Sequence, residues 1–183
     1  RDEAKSILRA LAHEPQAATR LAAFLMDEFT QLYMDGLLDA ADRKRSEAVN
    51  VLRSAASNSH AAIRLADMLW DESIQRQDEG RLEEAEAKRD DARSVLSAVA
   101  THQTGAALRL AEFLMYECRL LQVDGKVGRA HEKRDDAKNV LSAMANDSQA
   151  AIRRSAILME EAEQLRAEGK LESATSRRDE AKA

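Results

Sequence analysis

Arg89-Asp90-Asp91-Ala92 decides how the rest of the chain is read, because the phrase recurs four more times. Its other copies are Arg1-Asp2-Glu3-Ala4, Arg45-Ser46-Glu47-Ala48, Arg134-Asp135-Asp136-Ala137 and Arg178-Asp179-Glu180-Ala181. The successive spacings are 44, 44, 45 and 44 residues. A glycine stands nine residues before each of the last four arginines, at Gly36, Gly80, Gly125 and Gly169. Self-similarity at such a period marks stacked supersecondary units that bury their apolar faces against one another. The one extra residue falls in the segment Thr101 to Gly105, opposite the short polar segments Ser57 to His60 and Asn146 to Gln149, so a loop is expected there.

Between these marks the apolar residues follow helical spacing: Leu65, Met68, Leu69 and Ile74, then Leu82, Ala85, Ala92, Val95, Leu96 and Val99. Each unit is therefore a helix pair. Helices are expected at 1–13, 16–35, 37–56, 60–79, 81–100, 105–124, 126–145, 149–168 and 170–183. Pro15 sits where a helix would begin, and the recurrent glycines where the first helix of a pair must end. The expected fold is all-α, an α-solenoid of antiparallel helix pairs with about nine helices. It forms one domain over 1–183, with units at 1–44, 45–88, 89–133 and 134–177 and a fifth starting at 178–183. The chain starts partway through a second helix and stops partway through another, at nearly the same phrase. No specialised polar cap is legible at either end, so it reads as a piece of a longer array.

Composition agrees. Of 183 residues, 44% are hydrophobic and 33% charged, with six Gly and one Pro, and too few aromatic residues and turn formers for a sheet of this size. All-β and α/β folds are excluded on that ground. The 28 basic and 33 acidic residues are well mixed and leave a net charge of -5, so no footprint for nucleic acid is present. No apolar run approaches the roughly 18 to 20 residues needed to cross a bilayer, so a soluble chain without membrane insertion is expected. The single cysteine, Cys118, excludes an internal disulfide and a cysteine-based zinc site and suits a reducing, cytoplasmic compartment.

Gly80-Arg81-Leu82-Glu83-Glu84-Ala85, with Ala92 seven residues on, resembles the turn and second helix of a tetratricopeptide repeat. The other units match it as Gly36, Leu38, Ala41 and Ala48; Gly125, Val127, Ala130 and Ala137; and Gly169, Leu171, Ala174 and Ala181. The stretch Val95-Leu96-Ser97-Ala98-Val99-Ala100, followed by Ala106-Ala107-Leu108-Arg109-Leu110-Ala111, is similar to the junction in the related Sel1-like repeats. The period exceeds the usual one, which makes this a long-helix variant. The resemblance implies a right-handed superhelix whose first helices line a concave groove that holds peptides or partner proteins.

Aligned first helices give a column of arginines (Arg20, Arg64, Arg109, Arg153) and one of glutamates (Glu28, Glu72, Glu117, Glu161), and the second helices supply Arg45, Arg89, Arg134 and Arg178. Residues equally far from a tight turn face one another. The expected ladder is therefore Glu28 with Arg45, Glu72 with Arg89, Glu117 with Arg134 and Glu161 with Arg178, since these arginines interrupt an apolar stripe and need a partner. Phe24, Met68, Phe113 and Ile157, and beside them Leu25, Leu69, Leu114 and Leu158, read as core. Met26, Trp70, Met115 and Met159 form a neighbouring stripe that suits packing, or a soft recognition surface. Positions that vary between units are the groove candidates: Asp27, Asp71, Tyr116 and Glu160 in one column, and Ala23, Asp67, Glu112 and Ala156 in another, with Trp70 beside them. Their acidity favours a basic partner segment.

No catalytic constellation is legible. His13, His60, His102 and His131 occupy different columns without metal-ligand spacing, and Cys118, aligned with Phe29, Ser73 and Ala162, is expected to be a buried, inert thiol. Adjacent carboxylates at Asp90-Asp91 and Asp135-Asp136 point to different faces of a helix. The isolated glycines cannot cradle a phosphate. The expected function is a non-catalytic scaffold for proteins or peptides, with no metal and no cofactor. The alternatives are a structural array that self-associates head to tail, and a sensor segment of a larger signalling protein.

Overall fold

All four spacing glycines adopt left-handed backbone, with φ of +75°, +75°, +71° and +78°. In each turn the glycine N–H donates to the carbonyl three residues back, and the next N–H reaches five residues back. At the first turn these are Gly36 to Tyr33 at 3.1 Å and Leu37 to Leu32 at 2.9 Å; at the second, Gly80 to Gln77 at 2.9 Å and Arg81 to Arg76 at 2.8 Å. This is the Schellman arrangement, which satisfies the last carbonyls of one helix while the chain reverses into the next. The glycine is required by its φ alone, because a Cβ at Gly36, Gly80, Gly125 or Gly169 would meet nothing within 4 Å.

The computed structural model describes residues 2–144 and 146–182. Arg1, Ala145 and Ala183, at the outer ends of three expected helices, lie outside the described residues. Among the described residues there are nine helices and no strand: α1 (Asp2–Ala10), α2 (Pro15–Met34), α3 (Leu38–Ser54), α4 (Ser59–Asp78), α5 (Leu82–Ala100), α6 (Thr104–Val123), α7 (Val127–Ser142), α8 (Ser148–Ala167) and α9 (Leu171–Glu180). Pro15 opens α2, as its spacing anticipated. Asn58 and Asp147 cap α4 and α8 by accepting from the amides of His60 and Ala61, and of Gln149 and Ala150, at 2.9 to 3.4 Å. The second helices of the pairs α2–α3 and α6–α7 stop two or three residues before their expected ends. There the chain tightens into three-residue bonds, Ala55 to Leu52, Ala56 to Arg53 and Met144 to Leu141.

The chain divides into two compact units, Arg1–Val99 and Ala100–Ala183, with the boundary just ahead of the extra residue in the repeat. In unit 1, α2 packs along α3, α1 rests on α2, and α4 packs on both α2 and α3. In unit 2, α6 packs along α7, α8 packs on both, and α9 returns along α8.

Both cores have the same construction. Leu25, Leu69, Leu114 and Leu158 are each at most 5% exposed, as expected, and the second helices contribute Leu52, Leu96 and Leu141, each at most 1% exposed. Alanines such as Ala41, Ala48, Ala85, Ala92, Ala130 and Ala137 are fully or almost fully buried. Small residues at these points let long helices approach closely, with buried leucines on both helices of a pair. The last first-helix departs from the pattern. Arg154 and Ser155 stand where earlier units have Leu110 and Ala111, and they bond Glu180 and the Ala181 carbonyl, each at 2.7 Å.

Candidate functional site

In every unit the first-helix glutamate reaches a cation on the second helix that follows it, but the partner stands one residue before the expected arginine. Glu28 pairs with Lys44 at 3.1 Å, Glu72 with Lys88 at 2.9 Å, Glu117 with Lys133 at 3.0 Å and Glu161 with Arg177 at 3.1 Å. Each glutamate lies eight residues before its glycine and each of these cations eight after it, so the equal-distance rule holds and the register drawn nine residues out did not. The expected pairs with Arg45, Arg89, Arg134 and Arg178 are corrected accordingly.

Two glutamates bind a second cation, from the second helix that precedes them. Lys5 of α1 bonds Glu28, and Lys138 of α7 bonds Glu161 at 2.8 Å. Each of these carboxylates thus joins three consecutive helices. Both lysines are buried, which is costly unless the ammonium is paired. The hydrogen bond from Lys5, with the ion pair to Lys44, holds the Glu28 carboxyl below its ordinary value against the opposing effect of burial.

Three of the four displaced arginines find a different partner. Arg45 lies over the Phe29 ring, 4.3 Å from its centroid, Arg89 donates to Gln77 at 3.1 Å, and Arg134 donates to Gln164 at 2.7 Å. Arg45 and Arg134 are buried and Arg178 is exposed.

Among the groove candidates, Asp27, Asp71 and Tyr116 are exposed, and Asp67, Glu112 and Glu160 are partly exposed. Trp70 leaves the groove set: at 5% exposure, with Met115 at 2%, it takes the packing role that its stripe also suited. A wide ring on the inner edge of the first-helix stripe is worth more buried than presented to water. The acidity of this face is partly met from within. Arg109 donates to Glu112 at 2.8 Å and Arg119 to Glu160 at 3.2 Å, while Arg153 comes within 3.9 Å of Glu112.

His13, His60, His102 and His131 are all exposed, and among the described residues no group of three or more His, Cys, Asp or Glu is placed to hold a metal ion. Cys118 is fully buried, and burial pushes its thiol pKa up. Among the described residues no helix is long and apolar enough to cross a membrane.

The first pair also carries an open cleft of 690 Å³, lined by Asp27, Glu28, Thr30, Gln31, Leu32 and Lys44. Beside it the turn residues Tyr33, Met34, Leu37 and Leu38 are 50%, 80%, 55% and 55% exposed. Sequence reading overlooked this cluster, although comparing units could have found it: positions 33 and 37 are Gln77 and Arg81, Gln122 and Lys126, and Arg166 and Lys170 in the other units. No protein-family model matches the sequence, and no curated protein matches it.

Proposed function

We propose that this chain is a non-catalytic repeat scaffold, a long-helix relative of the tetratricopeptide and Sel1-like repeats, that holds a peptide or protein segment against its first helices. One observation carries the reading. The leucine column Leu25, Leu69, Leu114 and Leu158 repeats from unit to unit, while two exposed or partly exposed first-helix columns change, Ala23, Asp67, Glu112 and Ala156 in one and Asp27, Asp71, Tyr116 and Glu160 in the next. A helix face needed only for solubility does not require a different side chain in each unit, whereas a face that reads a sequence does. Selection of peptides from a displayed random library on the whole chain tests it. Selected peptides should be enriched in Lys and Arg, and Asp67→Lys with Asp71→Lys should weaken them by about tenfold, or about 1.4 kcal/mol. Absence of any selected sequence, or equal binding by the double variant, would remove this reading.

The second reading, head-to-tail self-association, is favoured by α1. Ile7 is 55% and Leu11 39% exposed, whereas Ala55 and Val99, at the repeat position of Leu11, are 3% exposed. Light scattering from low micromolar to near millimolar concentration decides it. Mass should climb with concentration and return to the 20.3 kDa monomer in Ile7→Lys. A constant monomer mass ends that reading.

A further inference from the structure

Every turn between a first and a second helix in this chain carries an acid immediately before its glycine: Asp35, Glu79, Asp124 and Glu168. In three of the four, the residue immediately after the glycine is a cation that binds this acid. Arg81 reaches Glu79 at 3.1 Å, Lys126 reaches Asp124 at 3.0 Å and Lys170 reaches Glu168 at 2.8 Å. The first turn lacks the cation, because Leu37 takes its place, and Asp35 accepts only from the side-chain amide of Gln31, at 3.1 and 3.2 Å.

What replaces the cation is apolar surface. Tyr33, Met34, Leu37 and Leu38 are all at least half exposed, and they are continuous with an aromatic platform. The Tyr33 ring lies 5.8 Å from that of Phe29, whose other contact is the Arg45 guanidinium. The platform is particular to this unit, since Phe29 is Ser73, Cys118 and Ala162 elsewhere. Residues 21–42 hold five acids and no Lys or Arg; the cations that follow them are engaged, Lys44 with Glu28 at 3.1 Å and Arg45 over Phe29, so the acid offered at the turn itself is Asp35. The other three turns fold with Gln or Arg at the Tyr33 position and Arg or Lys at the Leu37 position, so the fold itself does not require the apolar residues.

We infer that the α2–α3 turn docks an apolar, basic segment of a partner protein. The partner's Lys or Arg supplies to Asp35 the cation that Arg81, Lys126 and Lys170 supply at the other turns. Its apolar side chains cover Met34, Leu37 and Tyr33. The inference rests on the peptide-binding reading above and adds to it a second contact outside the first-helix column. Exposed apolar anchors beside a carboxylate that lacks a cation combine affinity with selection by sign.

The probe is a fluorescein-labelled 18-residue Leu/Lys peptide of helical amphipathic pattern, with a Leu/Glu peptide of the same pattern as control. Binding to the whole chain is read by fluorescence anisotropy. The variant Tyr33→Gln/Met34→Asp/Leu37→Arg rebuilds the first turn with the residues of the second and leaves net charge unchanged, so it separates the site from general electrostatic attraction. Leu37→Arg alone restores the internal cation with a single change. The expected result is Leu/Lys binding at least about tenfold tighter than Leu/Glu, a loss of about tenfold or more in both variants, and weakening with salt. Equal binding by the chain and the triple variant would overturn the site while leaving peptide recognition by the first helices standing. No binding of the Leu/Lys probe would overturn it as well, and the library selection on Asp67 and Asp71 then judges the wider reading separately. Two further outcomes reject a peptide partner: phosphatidylserine vesicles retained by the chain but not by the variant would assign the patch to a membrane. Dimer mass lost in the variant would assign it to a second copy.

Discussion

Glu72 separates the two registers that a ladder of carboxylates and cations could take. It faces Lys88 at 2.9 Å and Arg76 at 3.3 Å, while Arg89 turns to Gln77. In double-mutant cycles, Glu72→Gln with Lys88→Met should show a coupling of about 0.5 to 1.5 kcal/mol in thermal or urea unfolding. Glu72→Gln with Arg89→Met should be additive within about 0.5 kcal/mol. The reverse pattern would restore the register nine residues from the glycine. Glu28 makes a pH prediction with a definite sign. Its folded carboxyl lies below the ordinary value of 4.5, held there first by the hydrogen bond from Lys5. A depressed carboxyl stabilises the fold fully above that ordinary value, and the contribution is lost as pH falls through the lower folded value. The melting temperature of the chain should therefore fall more steeply between about pH 6 and about pH 3 than that of Glu28→Gln. Parallel curves would show that Glu28 does not contribute to acid sensitivity.

At the scale of the element, each helix pair is closed by a turn whose one demanding position is the glycine. Gly80 has φ +75° and open space around the position of a Cβ, so Gly80→Ala isolates the cost of left-handed backbone from any clash. Urea unfolding should show a loss of about 1 kcal/mol for Gly80→Ala and a smaller one for Gly80→Asn, which tolerates this region better. Equal and negligible losses would mean that the turn rearranges. Helix starts and the glycine-marked stops were readable to within a few residues, because caps, proline and glycine act over a single turn of chain. The ends of α3 and α7 were less so. Ala-rich sequence favours helix beyond Ser54 and Ser142, and only the approach of the following helix decides where the backbone tightens.

At the scale of the molecule, Cys118 reports on unit 2 from its interior. The thiol is fully buried, and burial raises its pKa, so both access and thiolate supply are low in the folded state. Labelling by an aromatic disulfide reagent should be at least about a hundredfold slower than for a free thiol and should accelerate with urea along the loss of helical signal. Labelling at the free rate without denaturant would contradict the packing of α6 described above. The division at Val99 and Ala100 was not legible, because the repeat period runs through it almost undisturbed. A boundary between compact units is a sum over many contacts distant in sequence, and no local phrase encodes such a sum.

The all-α class, the helix pairs, the glycine turns and the leucine columns were decided by local chemistry: a helical apolar period, left-handed φ at one residue, and too few turn and β-branched residues for sheet. Which cation meets each glutamate was decided only in three dimensions. A step of one residue turns a side chain through about 100° around a helix, so the same ladder drawn from Lys88 or from Arg89 differs by more than a quarter turn. The depth of Trp70, the stack of Arg45 on Phe29 and the exposure of Leu37 likewise depend on neighbours that no window of sequence contains. Periodicity selects the face a residue belongs to; packing decides whether that face is covered.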